Sequence, residues 1–244
     1  IKDELKRIKK MWWNNFILIS GNSDYCITEE FIPKIPPNVI KWFCQNKYSD
    51  NKILHSIPLG LENTFECKRS GHGKAWEHAK EKYNLISNVE KKYPTKLIYA
   101  NFNINTNLEH RQETRKKAKE LEHITWAEPN LTYVEFVKDI LDHEAVLCAQ
   151  GNDRGDNHRI YETLYLGRVA LTFEPVQYEN LHKKFPVVLI KHLSELDDKM
   201  YLSEKINKAK KKYNKKYLDF NYWKEIILES SKETSKIKVK NKKS

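Results

Sequence analysis

AVLCAQGNDRGDNHRIYETLYLGRVALTFE, residues 145–174, is the stretch on which the fold turns. Its two apolar runs, AVLCAQ (145–150) and RVALTFE (168–174), do not alternate with polar residues. That is the pattern of strands covered on both faces. Between them lie a polar loop with two glycines and the segment HRIYETLYLG (158–167), which reads as a helix closed by glycine. Strand, helix and strand in so few residues make a crossover between parallel neighbours, and the loop after the first strand then sits at the carboxyl edge of the sheet, where such sheets bind ligands.

The loop has the chemistry for a phosphate. Gly151 allows the turn, and the polar Asn152 and Arg154 follow it. Asn157 is a good N-cap residue, so the helix starts at His158 with unpaired amides and a positive dipole end. Arg159 lies in the first turn and can grip a diphosphate with its planar fork. Glu162, three residues on, shares its face and could accept both hydroxyls of a ribose. The same spacing equally suits a surface ion pair worth about 0.2–0.5 kcal/mol, with His158 a helix-start residue that meets no ligand. The loop is neither a Walker A sequence nor a GxGxxG.

Outward from this stretch, strands and helices alternate. NNFILIS (14–20), ILHSIP (53–58), KLIYANFNI (96–104) and PVVLIKH (186–192) read as strands, and VIKWFCQN (39–46) as strand or helix. Helices are expected over 75–92, 107–123, 131–143, 194–216 and 221–230. The pattern is α/β with a parallel sheet. A composition shift near 94–96 divides a domain of residues 1–95 from one of 96–230, and 231–244 reads as a basic, disordered tail. The 244 residues carry a net charge of +11, of which +9 falls in residues 201–244. Such an end can track phosphates, although a lysine-rich terminus is as often a solvated helix. The four cysteines have no CxxC or Cys/His ligand spacing, which points to reduced thiols in a cytoplasmic protein and to no metal site. No apolar run approaches the length of a membrane span.

The segment VLCAQGNDRGDNHRIYETLYLGRVALTFEP (146–175) resembles the donor-binding segment of exostosin-like glycosyltransferases, through Gly151, Arg159, Glu162, Leu164, Gly167 and Pro175. ILISGNSDYCITEE (17–30) with IPLGLEN (57–63), and LIYANFNINTNLEHR (97–111), are similar to small viral and bacterial relatives of that group. Thr163 stands where the family has Ala, and Ala149–Gln150 where a proline is common. The resemblance implies two Rossmann-like domains facing a cleft (a GT-B-like enzyme) with a reduced N-terminal domain on the acceptor side. It also implies a last helix that crosses back to the first domain. The C-terminal domain would hold a nucleotide-diphosphate sugar, a UDP-sugar being favoured. The leaving diphosphate would be met by helix dipoles and basic side chains, without a metal or other cofactor.

Further candidates follow from this expectation. Asn103 and Asn105 could bond sugar hydroxyls or phosphate, Asn107 could cap the next helix, and Arg111 could reach a phosphate. Asp24, then Glu62, are the candidate bases for the acceptor proton, if the transfer inverts configuration. Each has a plain alternative as a turn or cap residue. The acceptor could be a glycan, a lipid-linked sugar, or a hydroxymethylated DNA base reached through the basic C-terminal region. The rival class is a non-catalytic nucleotide- or nucleic-acid-binding module on the same sheet.

Overall fold

The computed structural model of the chain describes residues 2–11, 14–21, 25–61, 79–151, 156–173 and 183–240. The chain divides into two compact units. The first comprises Ile1–Pro58, Gln177–Leu181 and Asp219–Ser244, and the second Leu59–Val176 and His182–Leu218.

In the first unit a helix, α1 (Lys2–Lys10), precedes strands β1 (Phe16–Ser20), β2 (Ile27–Thr28), β3 (Val39–Cys44), β4 (Lys47–Tyr48) and β5 (Leu54–Ser56). β1, β3 and β5 form a parallel sheet with β3 central, and β2 pairs β4 in a two-stranded parallel ladder. The ambiguity over 39–46 resolves to strand because Val39, Trp42 and Cys44 supply the core beside Leu5, Ile8, Ile27 and Leu54. Trp42 is fully buried, and its indole N–H donates to Ser20 Oγ at 2.8 Å, so the polar end of the side chain is satisfied. The Asn38 side-chain amide donates to the carbonyls of Ile8, Met11 and Asn14, which closes the end of α1. The last helix, α7 (Phe220–Lys240), belongs to this unit. It packs on β3, and Lys41 Nζ donates to Ser230 Oγ at 3.2 Å. The helix reaches Lys240, so residues 231–240 extend it where a disordered tail was expected; 241–244 lie outside the described residues.

The second unit holds α2 (Ala79–Asn88), β6 (Lys96–Ala100), α3 (Leu108–Glu120), β7 (Ile124–Trp126), α4 (Tyr133–Asp142), β8 (His143–Leu147), α5 (His158–Tyr165), β9 (Val169–Phe173), β10 (Val187–Ile190) and α6 (Lys199–Lys210). Its five strands are all parallel, in the order β10–β9–β8–β6–β7. α3 and α6 cover one face, where Ala118, Leu202, Ile206 and Ala209 meet Ile98, Ala100, Leu147 and Leu171. α4 and α5 cover the other, and Tyr99 packs against Phe136 of α4. Both faces are therefore buried, which is why the strands read as continuous apolar runs. Residues 59–95, assigned from composition to the first domain, group with this second unit, because α2 packs on α4 and α5. The single helix expected over 194–216 is instead a short 3-10 turn (Leu193–Asp197), α6 and a second 3-10 turn (Lys215–Leu218).

In sequence order the five strands run second, first, third, fourth, fifth across the sheet. The order reverses between β6 and β8, and the loops after these two strands part there. That is the topological switch point of a doubly wound sheet, the place where such sheets leave a crevice.

Candidate functional site

Both candidate loops from the sequence reach this switch point. The loop after β6 (101–107) and the loop after β8 (148–157) are joined by Arg111 on α3. Its Nε donates to the Gln150 carbonyl at 2.7 Å and its Nη1 to the Asn103 carbonyl at 2.5 Å, with Nη2 at 3.5 Å from the Ala149 carbonyl. The guanidinium also lies 5.8 Å from the Phe102 ring centroid. Burial first, and then the charge of Arg159, lower its pKa. Arg111 thus pins two loops together through their backbones, besides adding positive charge beside Arg159.

Asn107 caps α3 in position but not through its side chain. It adopts φ 49° and ψ 57°, the left-handed region that costs a non-glycine residue energy, and Nδ2 donates to the Gly151 carbonyl at 3.1 Å. The side chain that was expected to cap the helix therefore holds the glycine loop. Asn103 accepts the Asn105 amide at 3.0 Å in a local turn, so these two shape the loop after β6. Gln150 is buried and donates to the Phe173 carbonyl at the end of β9 at 3.2 Å. Asn152 and Arg154 lie outside the described residues, as do Asp24 and Glu62.

α5 begins as its sequence indicates. Asn157 is the N-cap, and its Oδ1 accepts the Ile160 amide at 3.3 Å. The first-turn amides of residues 158 and 159 have no carbonyl within the helix to bond. The start of α5 also gathers the 59–60 turn. Asp156, buried, accepts the Leu59 amide at 3.0 Å and the Tyr161 hydroxyl, and His158 Nδ1 meets the Gly60 carbonyl at 2.9 Å. Gly60 has φ +82°, a conformation open to glycine. The LGLEN segment and the helix start, 98 residues apart in sequence, are neighbours here through residues 59 and 60.

Arg159 and Glu162 do form the i,i+3 pair, Nε to Oε2 at 3.5 Å, but not on the surface. The Glu162 side chain is only 5% exposed, which rules out the weak solvated pair that the spacing also allowed. Arg159 stacks on Phe136 of α4, 3.7 Å from the ring centroid, and its buried Nη1 has no hydrogen-bond partner among the described residues. Lys82 of α2 reaches the other carboxylate oxygen, Nζ to Oε1 at 3.3 Å, and is itself largely buried. The Tyr133 hydroxyl donates to the same oxygen at 3.3 Å, and Lys82 lies 5.6 Å from the centroid of that ring.

Two cations therefore share one buried carboxylate, and a third cation, Arg111, is near enough to be felt. Lys82, Tyr133 and Phe136 escaped the sequence reading. Lys82 is one lysine among many in its helix, and no local spacing signals a contact 80 residues away. Among the described residues no group of three or more His, Cys, Asp or Glu side chains could hold a metal ion, and no helix is long and apolar enough to cross a membrane.

Comparison with known proteins brings no external assignment. No protein-family model and no curated protein matches the chain.

Proposed function

We propose that the chain is a glycosyltransferase of GT-B-like architecture that moves a sugar from a nucleotide-diphosphate sugar to an acceptor hydroxyl. The observation that carries this reading is the buried Lys82–Glu162–Arg159 cluster at the start of α5. With the buried Asp156 at the same helix start the cluster itself is balanced, and Arg111, whose charge is felt at Arg159, tips the site to net positive beside a helix N-terminus at the switch point of a parallel sheet. Buried charge in surplus is expensive, so such a pocket is matched to an anion. A diphosphate fits it in charge and in donor geometry.

In the proposed reaction the acceptor oxygen bonds to the anomeric carbon as the bond from that carbon to the diphosphate breaks. The electron pair leaves on the β-phosphate oxygen, where Arg159 and the α5 amides meet the growing charge. Arg111 adds to their potential and keeps the two loops in place. Glu162 holds the two cations, and its remaining acceptor capacity is offered to a ribose hydroxyl. The acceptor proton passes to a base, for which Asp24 and Glu62 are the candidates. The acceptor is a glycan, a lipid-linked sugar or a hydroxymethylated DNA base.

A thermal-shift panel of nucleoside diphosphates tests the donor site. At a hundredfold excess over Kd, UDP is expected to stabilise the wild type by about 2.7 kcal/mol. Arg159→Gln should abolish that gain, and Glu162→Gln should reduce it. A wild type indifferent to every nucleoside diphosphate, or a shift preserved in Arg159→Gln, overturns the proposal. Release of free sugar or its transfer, followed by mass spectrometry, separates an enzyme from a protein that binds the nucleotide and does nothing further.

A further inference from the structure

The opposite edge of the same sheet carries a second concentration of positive charge. Lys91 and Lys92 precede β6, Asp142 precedes β8, and Gly167 and Arg168 precede β9. Because the strands are parallel, these loops meet at one edge, the amino edge, away from the switch-point loops. Arg168 binds them together, its Nη2 donating to the carbonyls of Lys92 and Leu141 at 2.6 and 2.7 Å. Gly167 has φ +76° at the end of α5. The point that a Cβ on it would occupy is 3.6 Å from Lys91 Nζ and 4.0 Å from the Tyr213 hydroxyl. Desolvation first, and then the charges of Lys215 and Arg168, lower the Lys91 pKa. Lys91 thus meets the turn at Gly167 beside Tyr213, with Arg168 and Lys215 near enough for their charges to be felt at its ammonium.

Of the carboxylates at this edge, Asp142 and Glu144 are engaged, and the exposed Glu90 precedes Lys91 in the chain. Lys92 pairs with Asp142, and Lys210 with Glu144 at 2.9 Å. Neither Lys91 nor Lys215 has a carboxylate partner among the described residues, and both are exposed. Mutual repulsion of this kind is relieved by an anion from outside. Beside it stands Tyr93, 94% exposed and two residues from Lys91. An aromatic face open to water within a basic edge suits an unstacked base next to its phosphate. A bilayer would call instead for several apolar side chains around the lysines, and the exposed aromatic residue next to Lys91 and Lys92 in the chain is Tyr93, which also carries a polar hydroxyl.

We infer that the amino edge of the second unit binds single-stranded nucleic acid, with Lys91, Lys215 and Arg168 on the phosphates, Tyr213 as a neutral donor and Tyr93 as the stacking platform. This surface is separate from the donor site, and its test needs no catalytic activity. Fluorescence anisotropy of a labelled oligothymidylate, measured over a salt series, reads it directly. The full chain should bind with log K falling linearly in log salt. Lys91→Gln with Lys215→Gln should make that slope shallower by about 1.4, the share of two phosphate contacts on a single strand. Tyr93→Ser should weaken binding about tenfold at any one salt concentration. A control, Lys116→Gln with Lys138→Gln, removes equal charge from the exposed faces of α3 and α4 and should leave the slope nearly unchanged. The inference is overturned if the control flattens the slope as much as the test pair, or if Tyr93→Ser has no effect. Binding of phosphatidylserine vesicles with none of the oligonucleotide overturns it too.

Discussion

Glu162 and Glu128 are both acidic residues beside cations, and their surroundings give them different physics. Glu162 is buried between Lys82 and Arg159, so its charge matters to how the two cations are held. Glu128 is exposed and lies just after β7. It accepts from Lys119 at 2.7 Å and from the Trp126 indole at 2.9 Å, with Arg115 at 3.3 Å. Its hydrogen bonds to Lys119 and Trp126 hold its carboxyl down to about 2. A carboxyl depressed in the folded state contributes stability above its unfolded value of about 4.5 and loses it as pH falls towards 2. Side-chain NMR should therefore find Glu128 still ionised at pH 3.5, and a midpoint near 4.5 would show that these contacts are absent in solution. Of the switch-point residues, Asn157 and the Arg159–Glu162 pair were legible in the sequence, since caps and i,i+3 spacing are local. The burial of that pair was not legible, because it comes from α2 and α4.

Among the elements, α4 is the most fully specified by its own residues. Thr132 and Glu135 form a capping box, the Thr132 hydroxyl accepting the Glu135 amide and the Glu135 carboxylate accepting the Thr132 amide at 2.8 Å. Phe136, Val137, Ile140 and Leu141 then fall on the buried face. Thr132→Ala should cost about 1 kcal/mol in urea denaturation. An unchanged midpoint would mean that packing alone sets the helix start. α4 carries Tyr133 and Phe136 to the Glu162 cluster, so its first turn also bears on the candidate site. α3 is the contrasting case. Its sequence is charged throughout, and only Thr114 and Ala118 are buried, yet it forms a helix of 13 residues. Its start is held by Arg111 and Asn107, whose partners lie across the switch point, which no local pattern reveals.

For the whole molecule, the chain returns at its end to the unit where it began. α7 groups with β1, β3 and β5. Deleting residues 219–244 should therefore raise amide hydrogen exchange in β1 and β3 and leave β6, β8 and β9 protected. Equal loss of protection in both sheets would show that the two units unfold together. The sequence by itself determined the α/β class, most of the strands and helices, and the helix start at Asn157, because periodicity, apolar runs and caps act over a few residues. The tertiary structure alone decided where the units divide, which lysine meets Glu162, and what Arg111 holds. These depend on strand order and on side chains far apart in the chain, and burial strengthens their charges only once the sheet has brought them together.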